Sequence, residues 1–365
     1  MLAFSTKKGS KYVNQDNGAV WTFKRNENES FHPQAPDVFY MGVVADGHGE
    51  EGEDCSSHIV KQVEQWSQHL ITQPFTTYDD ETWTKTLNEL TESLHNSFQT
   101  FLAAKLDYGY PRTVDKDGVV RKSSGSAVHA GSTFSMFITF PLGEQFKTVT
   151  CQLGDSDIYF NQKQVPSFSL YRESTWQHLQ TFPAEKRLTL FYNIRPVNKQ
   201  VFTEEGKLDL TFITPSKDEK GNQSGYTWNY NKGLQPTTAK YEPSVYLYSH
   251  KNSVDYVAIA CLQCIGDFYG HPCGLTHVPT VNVFTTATMP CVVAGSDGAW
   301  NTIDKDDKWI SLKCTTSSVD LQMVRDRHSQ LDLAVEEQVQ FLYELYGEKF
   351  GSKHIDDISL AVLFP

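Results

Sequence analysis

The order of hydrophobic and polar positions gives this chain its first outline. Residues 38–45 (Val-Phe-Tyr-Met-Gly-Val-Val-Ala) are apolar on both faces and β-branched in part, which predicts a short buried strand. Ile59, Val63, Trp66 and Leu70 then recur at spacings of three and four, and so do Trp83, Leu87, Leu90, Leu94, Phe98, Phe101 and Leu102. Both patterns predict amphipathic helices. Residues 112–126 are rich in charge, Ser and Gly and read as a loop. Strands are expected again at 132–140 and 146–153, with a hairpin connection at 141–144. Residues 165–251 mix aromatic and turn residues and predict an irregular insertion with a few strands and short helices, inside a single domain spanning the chain. A further buried strand is expected at 290–295, a helix through Leu331, Val335, Val339, Leu342 and Leu345, and a last strand at 358–364. With no internal repeat, and strands clustered at both ends, the order of elements predicts an α+β layered fold rather than an alternating parallel sheet.

Composition narrows the function classes. At 39% hydrophobic and 13% aromatic, 365 residues hold enough apolar material for a large core. A net charge of −12 argues against nucleic-acid partners and against binding to anionic membranes. The apolar runs are strand-length, and the first eight residues lack the apolar segment of a secretory signal. Seven cysteines, an odd number spread along the chain, suit reduced thiols and a cytoplasmic or nuclear compartment, in which the sequons at Asn28 and Asn222 carry no meaning.

The chemistry lies in the acids beside the predicted strands. One strand leads into Asp46-Gly47-His48-Gly49, another into Gly154-Asp155-Ser156, a third into Ser296-Asp297-Gly298, and the last follows Asp356-Asp357. Any one Asp-Gly is ordinary turn chemistry. Four together predict converging carboxylates, whose repulsion a hard divalent cation relieves, and all-oxygen ligation favours Mg²⁺ or Mn²⁺ over zinc.

In this order the segments Asn14-Gln15-Asp16, Asp46-Gly47-His48-Gly49, Gly131-Ser132-Thr133, Gly154-Asp155-Ser156, Ile265-Gly266-Asp267-Phe268, Ser296-Asp297-Gly298-Ala299-Trp300 and Asp356-Asp357-Ile358-Ser359 resemble the type 2C family of metal-dependent serine/threonine protein phosphatases. The resemblance implies a four-layer αββα sandwich, two packed antiparallel sheets flanked by helix pairs. It implies a phosphoprotein substrate and two Mg²⁺ or Mn²⁺ ions sharing a hydroxide, with a weaker third site. Asp46 would bridge the ions, the Gly47 carbonyl would ligate one, and Asp297 and Asp356 the other. Asp16 would hold metal-bound waters, Asp155 with Asp297 would match the third site, and His48 would protonate the leaving oxygen. Departures fall around that core. Lys11 stands where the family has a phosphate-gripping arginine and keeps the charge without the bidentate fork. Asp157, Leu262-Gln263 and Asn301 replace an arginine, a Ser-Arg pair and an aspartate, and the segment of about 160–255 is an enlarged, divergent flap beside the site.

Other candidates fit plainer roles. Cys261 and Cys264, with His271, Cys273 and His277 close behind, have zinc-like spacing but overlap an apolar segment, so a core role is expected. His58, His69 and His95 on the helices read as structural or solvated, and Ser132 and Thr133 as small residues entering a strand rather than nucleophiles. Two functions therefore compete: an active, monomeric phosphatase, and a pseudophosphatase that binds partners on the same fold. A metal-dependent nuclease fits the carboxylates but not the acidic charge.

Overall fold

The computed structural model describes residues 1–27, 30–161, 163–167, 172–183, 187–192, 213–217, 220–228, 243–249, 256–301 and 331–365. Its centre is a pair of packed sheets. One holds β2 (Asp16–Lys24), β3 (Val38–Gly49), β4 (Ala130–Ser132), β5 (Phe134–Leu142), β6 (Gln145–Leu153), β9 (Ile265–Gly266) and β10 (Thr280–Thr286), in the order β9-β4-β3-β5-β6-β10 with β2 also paired to β3. The other runs β1 (Leu2–Lys7), β12 (Ile358–Leu363), β11 (Val292–Gly295), β7 (Ile158–Phe160), β8 (Lys163–Gln164). Every ladder in both sheets is antiparallel. The β5–β6 hairpin closes on two residues, with Gly143 supplying a φ of +62° at the first turn position.

The unbroken apolar runs read from the sequence have a simple cause, because each strand is covered on both faces. Along β3, Phe39, Met41, Val43 and Ala45 point to a core shared with the helices α1 (Gly52–Leu70) and α2 (Asp80–Ala103), whereas Val44 faces the space between the sheets. Along β12, Ile358, Leu360 and Val362 face the long helix Leu331–Phe350, and Ala361 and Leu363 face the other sheet. Two-residue periodicity survives, but both of its phases are apolar. The layers are thus helix pair, sheet, sheet, helix. On the second flank the described residues show Leu331–Phe350 and the single turn Asp297–Trp300.

The predicted helices match α1 and α2, with Ile59, Val63, Leu70, Trp83, Leu87, Leu90, Leu94, Phe98 and Leu102 buried and Phe101 left at the surface. The Asp79 side chain accepts the Thr82 N–H at 2.8 Å and starts α2. The predicted loop at 112–126 differs: Thr113–Val114 pairs with Val120–Arg121. Apolar alternation cannot show in strands this short. Charge holds this segment instead, since buried Arg112 bonds Asp107 at 2.8 Å and Glu51 at 3.1 Å. The insertion carries the helix Arg172–Gln180 and a five-stranded sheet in the order Ile213–Lys217, Gln223–Trp228, Thr189–Tyr192, Pro243–Ser249, Tyr256–Ile259. Beneath it Leu179, Leu188, Ile259, Leu262 and Leu275 enclose Cys261, Cys264 and Cys273 in a small core, the structural role expected of these thiols. No described helix is long and apolar enough to cross a membrane.

Candidate active site

Strand register assembles the acids. Asp16 on β2 lies opposite Asp46 on β3. Asp297 follows β11 by two residues, Asp356 precedes β12 by two, and Asp155 follows β6 by two. Adjacent strands of the two sheets therefore deliver their carboxylates to one end of the sandwich. The strand expected over 38–45 is longer than its apolar run and continues through Asp46-Gly47 to Gly49, with Gly47 opposite Ser132 and His48 opposite Gly131. Gly47 serves close approach, because a Cβ there would strike the carbonyls of Gln15 and Gly52. Thr133 fixes Asp46 from both sides, its N–H donating to the Asp46 carbonyl at 2.9 Å and its hydroxyl accepting the Asp46 N–H at 3.2 Å. That hydroxyl also bonds Ser156 at 2.6 Å, so Thr133 acts as a clamp.

The acids are short of positive charge. Burial, and after it the charges of Asp16, Asp297 and Asp356, push the Asp46 carboxyl well above its ordinary range. Asp297 is pushed up to about 7 by burial and then by Asp155 and Asp356. Asp16 reaches about 6, through burial and the Asp357 charge against an opposing pull from the Ser296 hydroxyl, and neither of its buried carboxyl oxygens has a hydrogen-bond partner in good geometry. Hard oxygen donors that repel one another, those of Asp16 without a partner, fit a divalent cation of the Mg²⁺ or Mn²⁺ kind.

The N-terminal loop is tied to the same corner. Asp357, fully buried, accepts the Gly9 N–H at 2.7 Å and the Gln15 N–H at 2.9 Å. This anchoring role was not visible in the sequence, where Asp357 was only a neighbour of Asp356. The loop places Lys11 Nζ 2.8 Å from Asp356 and 3.7 Å from Asp357. Burial alone would lower the Lys11 pKa; the Asp356 carboxylate outweighs it and raises it.

His48 has a partner to which the sequence reading gave no role. Its Nε2 hydrogen-bonds Asp267, a fully buried carboxylate just after β9. Burial would depress His48, but the Asp267 charge and hydrogen bond dominate and hold it up at about 10. In return, His48 outweighs the effect of burial on Asp267 and lowers it. Asp267 adopts a φ of +46° after Gly266 at +84°, a left-handed pair that aims the carboxylate back across β4. The facing residue is Gly131, where a Cβ would overlap both the Asp267 carboxylate and His48 Nε2. The signal was a Gly-Asp step in a matched segment, but nothing local says that residue 267 meets residue 48.

The departures also have places. Asn301, standing for the expected aspartate, donates from Nδ2 to Asp297 at 3.1 Å. Asp157 accepts Gln164 Nε2 at 2.5 Å, and its carbonyl accepts the Trp300 indole N–H at 3.1 Å.

No family model and no curated protein matches this sequence. Among solved structures, a sex-determining protein of C. elegans aligns over 99% of this chain and 64% of its own, with a TM-score of 0.54 and 13% identity. This chain therefore spans just under two-thirds of that protein's length. The serine/threonine phosphatase Stp1 from Staphylococcus aureus aligns over 99% of this chain and 93% of its own, at a TM-score of 0.43 and 10% identity. The catalytic domain of the serine/threonine protein phosphatase PstP, in complex with two manganese ions, gives 99%, 96%, 0.41 and 12%. The last two TM-scores are too low to carry weight, and at these identities similarity concerns fold alone. In fold, the chain is a layered sandwich of two packed antiparallel sheets flanked by helices, similar to the C. elegans protein.

Proposed function

We propose that the protein is a metal-dependent phosphatase that hydrolyses phosphoserine and phosphothreonine in proteins. The observation that carries this reading is the convergence of Asp16, Asp46 and Asp297, whose carboxyls burial and mutual repulsion push up, with Asp356 beside them and with His48 held up by Asp267. Asp46, the Gly47 carbonyl, Asp297 and Asp356 would hold two ions, Asp16 would orient their waters, and Asp155 would complete a weaker third site. When bound, Mg²⁺ or Mn²⁺ would neutralise the phosphoryl oxygens and lower the pKa of the attacking water. Lys11, at the rim, binds the substrate phosphate as a point charge. His48 supplies the proton for the departing serine or threonine oxygen. With Nε2 engaged by Asp267, the donating atom is Nδ1. The chain is read as one monomeric domain, with residues of about 160–255 shaping the substrate groove. Cys264, in the small core beneath the insertion, directly precedes the strand Ile265–Gly266, and Asp267 follows that strand.

The test is hydrolysis of p-nitrophenyl phosphate and of a phosphothreonine peptide with Mn²⁺. Turnover by the wild type and its loss in Asp46→Asn are expected; absence of turnover at every metal concentration sinks the proposal.

A second reading, a partner-binding pseudophosphatase, draws on two contacts. The Lys11 ammonium already neutralises Asp356. An imidazolium held at about 10 is also a reluctant proton donor. Calorimetric titration with Mn²⁺ separates the readings, since a chain that has given up metal produces no binding heat.

A further inference from the structure

Outside the aspartate cluster, three imidazoles meet. His95 lies on the buried face of α2, His271 in the single 3-10 turn His271–Cys273, and His277 six residues further on. One nitrogen of each lies within 4.8 Å of the others, and the ring centroids of His95 are 4.2 Å from His271 and 4.3 Å from His277. Three polar rings are a poor filler for an interior unless their nitrogens are used. Hydrogen bonds use only some of them. His271 donates Nε2–H to the Gly266 carbonyl at 2.9 Å, which fixes its tautomer and leaves the Nδ1 lone pair available. His95 Nδ1 accepts the Gly266 N–H at 3.3 Å, a long bond. His277 Nδ1 is buried with no hydrogen-bond partner.

We propose that His95, His271 and His277 form a nitrogen-ligated transition-metal site that takes Zn²⁺, with Glu92 at its open side. Three imidazoles suit zinc and do not suit Mg²⁺ or Mn²⁺, so the site is chemically distinct from the carboxylate cluster. Ligation needs neutral rings, and burial with mutual repulsion pushes His95 down to about 2 and His271 to about 4. Glu92 stands one helical turn before His95, at the spacing that puts two ligands on one face, and its charge acts on His277. Ligation through His95 Nδ1 exchanges one long hydrogen bond for a metal bond. The zinc-like spacing in the sequence is thereby redistributed. His271 and His277 join His95, while Cys261, Cys264 and Cys273 stay in the small core under the insertion. Both histidine contacts to Gly266 fall on the residue before Asp267, so a bound ion braces α2 against the strand that holds the partner of His48.

The whole chain, stripped with chelator and held in excess Mg²⁺ to fill the oxygen site, is titrated with Zn²⁺ by calorimetry. One equivalent is expected, retained in Asp46→Asn and in Cys264→Ser, and weakened at least about 100-fold in His271→Gln and His277→Gln. Zn²⁺ should also raise the melting temperature of the wild type and not that of His277→Gln, whose half-exposed position and circular dichroism spectrum guard against misfolding. Absence of bound Zn²⁺ in the wild type overturns the site. So does wild-type affinity in His277→Gln. Loss confined to Cys264→Ser overturns it too, and assigns the ion to the group His48, Cys264 and Asp267 instead.

Discussion

At the scale of single residues, the site depends on groups too small or too remote to stand out in a motif. Gly131 is the plainest case. Its missing side chain is the space in which His48 and Asp267 meet, so Gly131→Ala separates them while leaving the Asp16, Asp46, Asp297 and Asp356 carboxylates in place. If His48 is the acid, kcat with p-nitrophenyl phosphate should fall about 100-fold, within the range for losing a general acid, with Mn²⁺ binding unchanged. Unaltered kcat in folded Gly131→Ala would remove His48 from the mechanism. Lys11 makes a second prediction. Restoring the fork with Lys11→Arg should lower KM for a phosphothreonine peptide several-fold, because a guanidinium grips two phosphate oxygens where an ammonium offers a point charge. Steady-state kinetics decide it, and a raised KM would place Lys11 with Asp356 as a structural pair only.

Among the elements, α2 does more than cover a sheet. Its inner face carries Trp83, with no exposed surface, packed edge-on to Phe75 and Tyr78, and two turns from its end it carries His95. Trp83→Ala should cost about 3–5 kcal/mol and lower the urea midpoint accordingly. Leu333→Ala, at a position 51% exposed on the late helix, should change stability by no more than about 0.5 kcal/mol. Equal effects would mean that the helices do not contribute to the core as described. Both helices were legible from spacing alone, because a helix that buries one face must repeat its apolar residues every three or four positions. The strand pair at 113–121 was not legible, since what secures it is Arg112 with Glu51 and Asp107.

Over the whole molecule, the acid and imidazole clusters set opposite demands on pH. Unfolded imidazoles take up protons near their ordinary 6.5, whereas folded His271 waits until about 4 and His95 until about 2. Their neutral burial therefore favours the fold above 6.5, and that contribution is lost as the pH falls from 6.5 toward 4. The raised Asp16, Asp46 and Asp297 carboxyls act the other way in the same window, so the comparison with a variant decides: the melting midpoint of metal-free His95→Gln should rise relative to the wild type as the pH falls from 6.5 toward 4, and a difference that does not change with pH contradicts it.

The sequence by itself determined the layers and the acids that lie beside strand ends. Apolar runs covered on both faces, amphipathic helices between them and acids beside strand ends follow from local pattern, because burial and metal ligation each demand particular residue types at particular spacings. Asp46, Asp155, Asp297 and Asp356 could be named from that pattern, and Asp16 from the family resemblance. Only the tertiary structure decided which side chains meet. Asp267 reaches His48 across 219 positions, Asp357 ties down the loop that carries Lys11, and His95 joins His271 and His277 rather than lying idle on its helix. The physical reason is the same in each case. Sheet register and helix docking set these distances, and neither is written in the residues that come together.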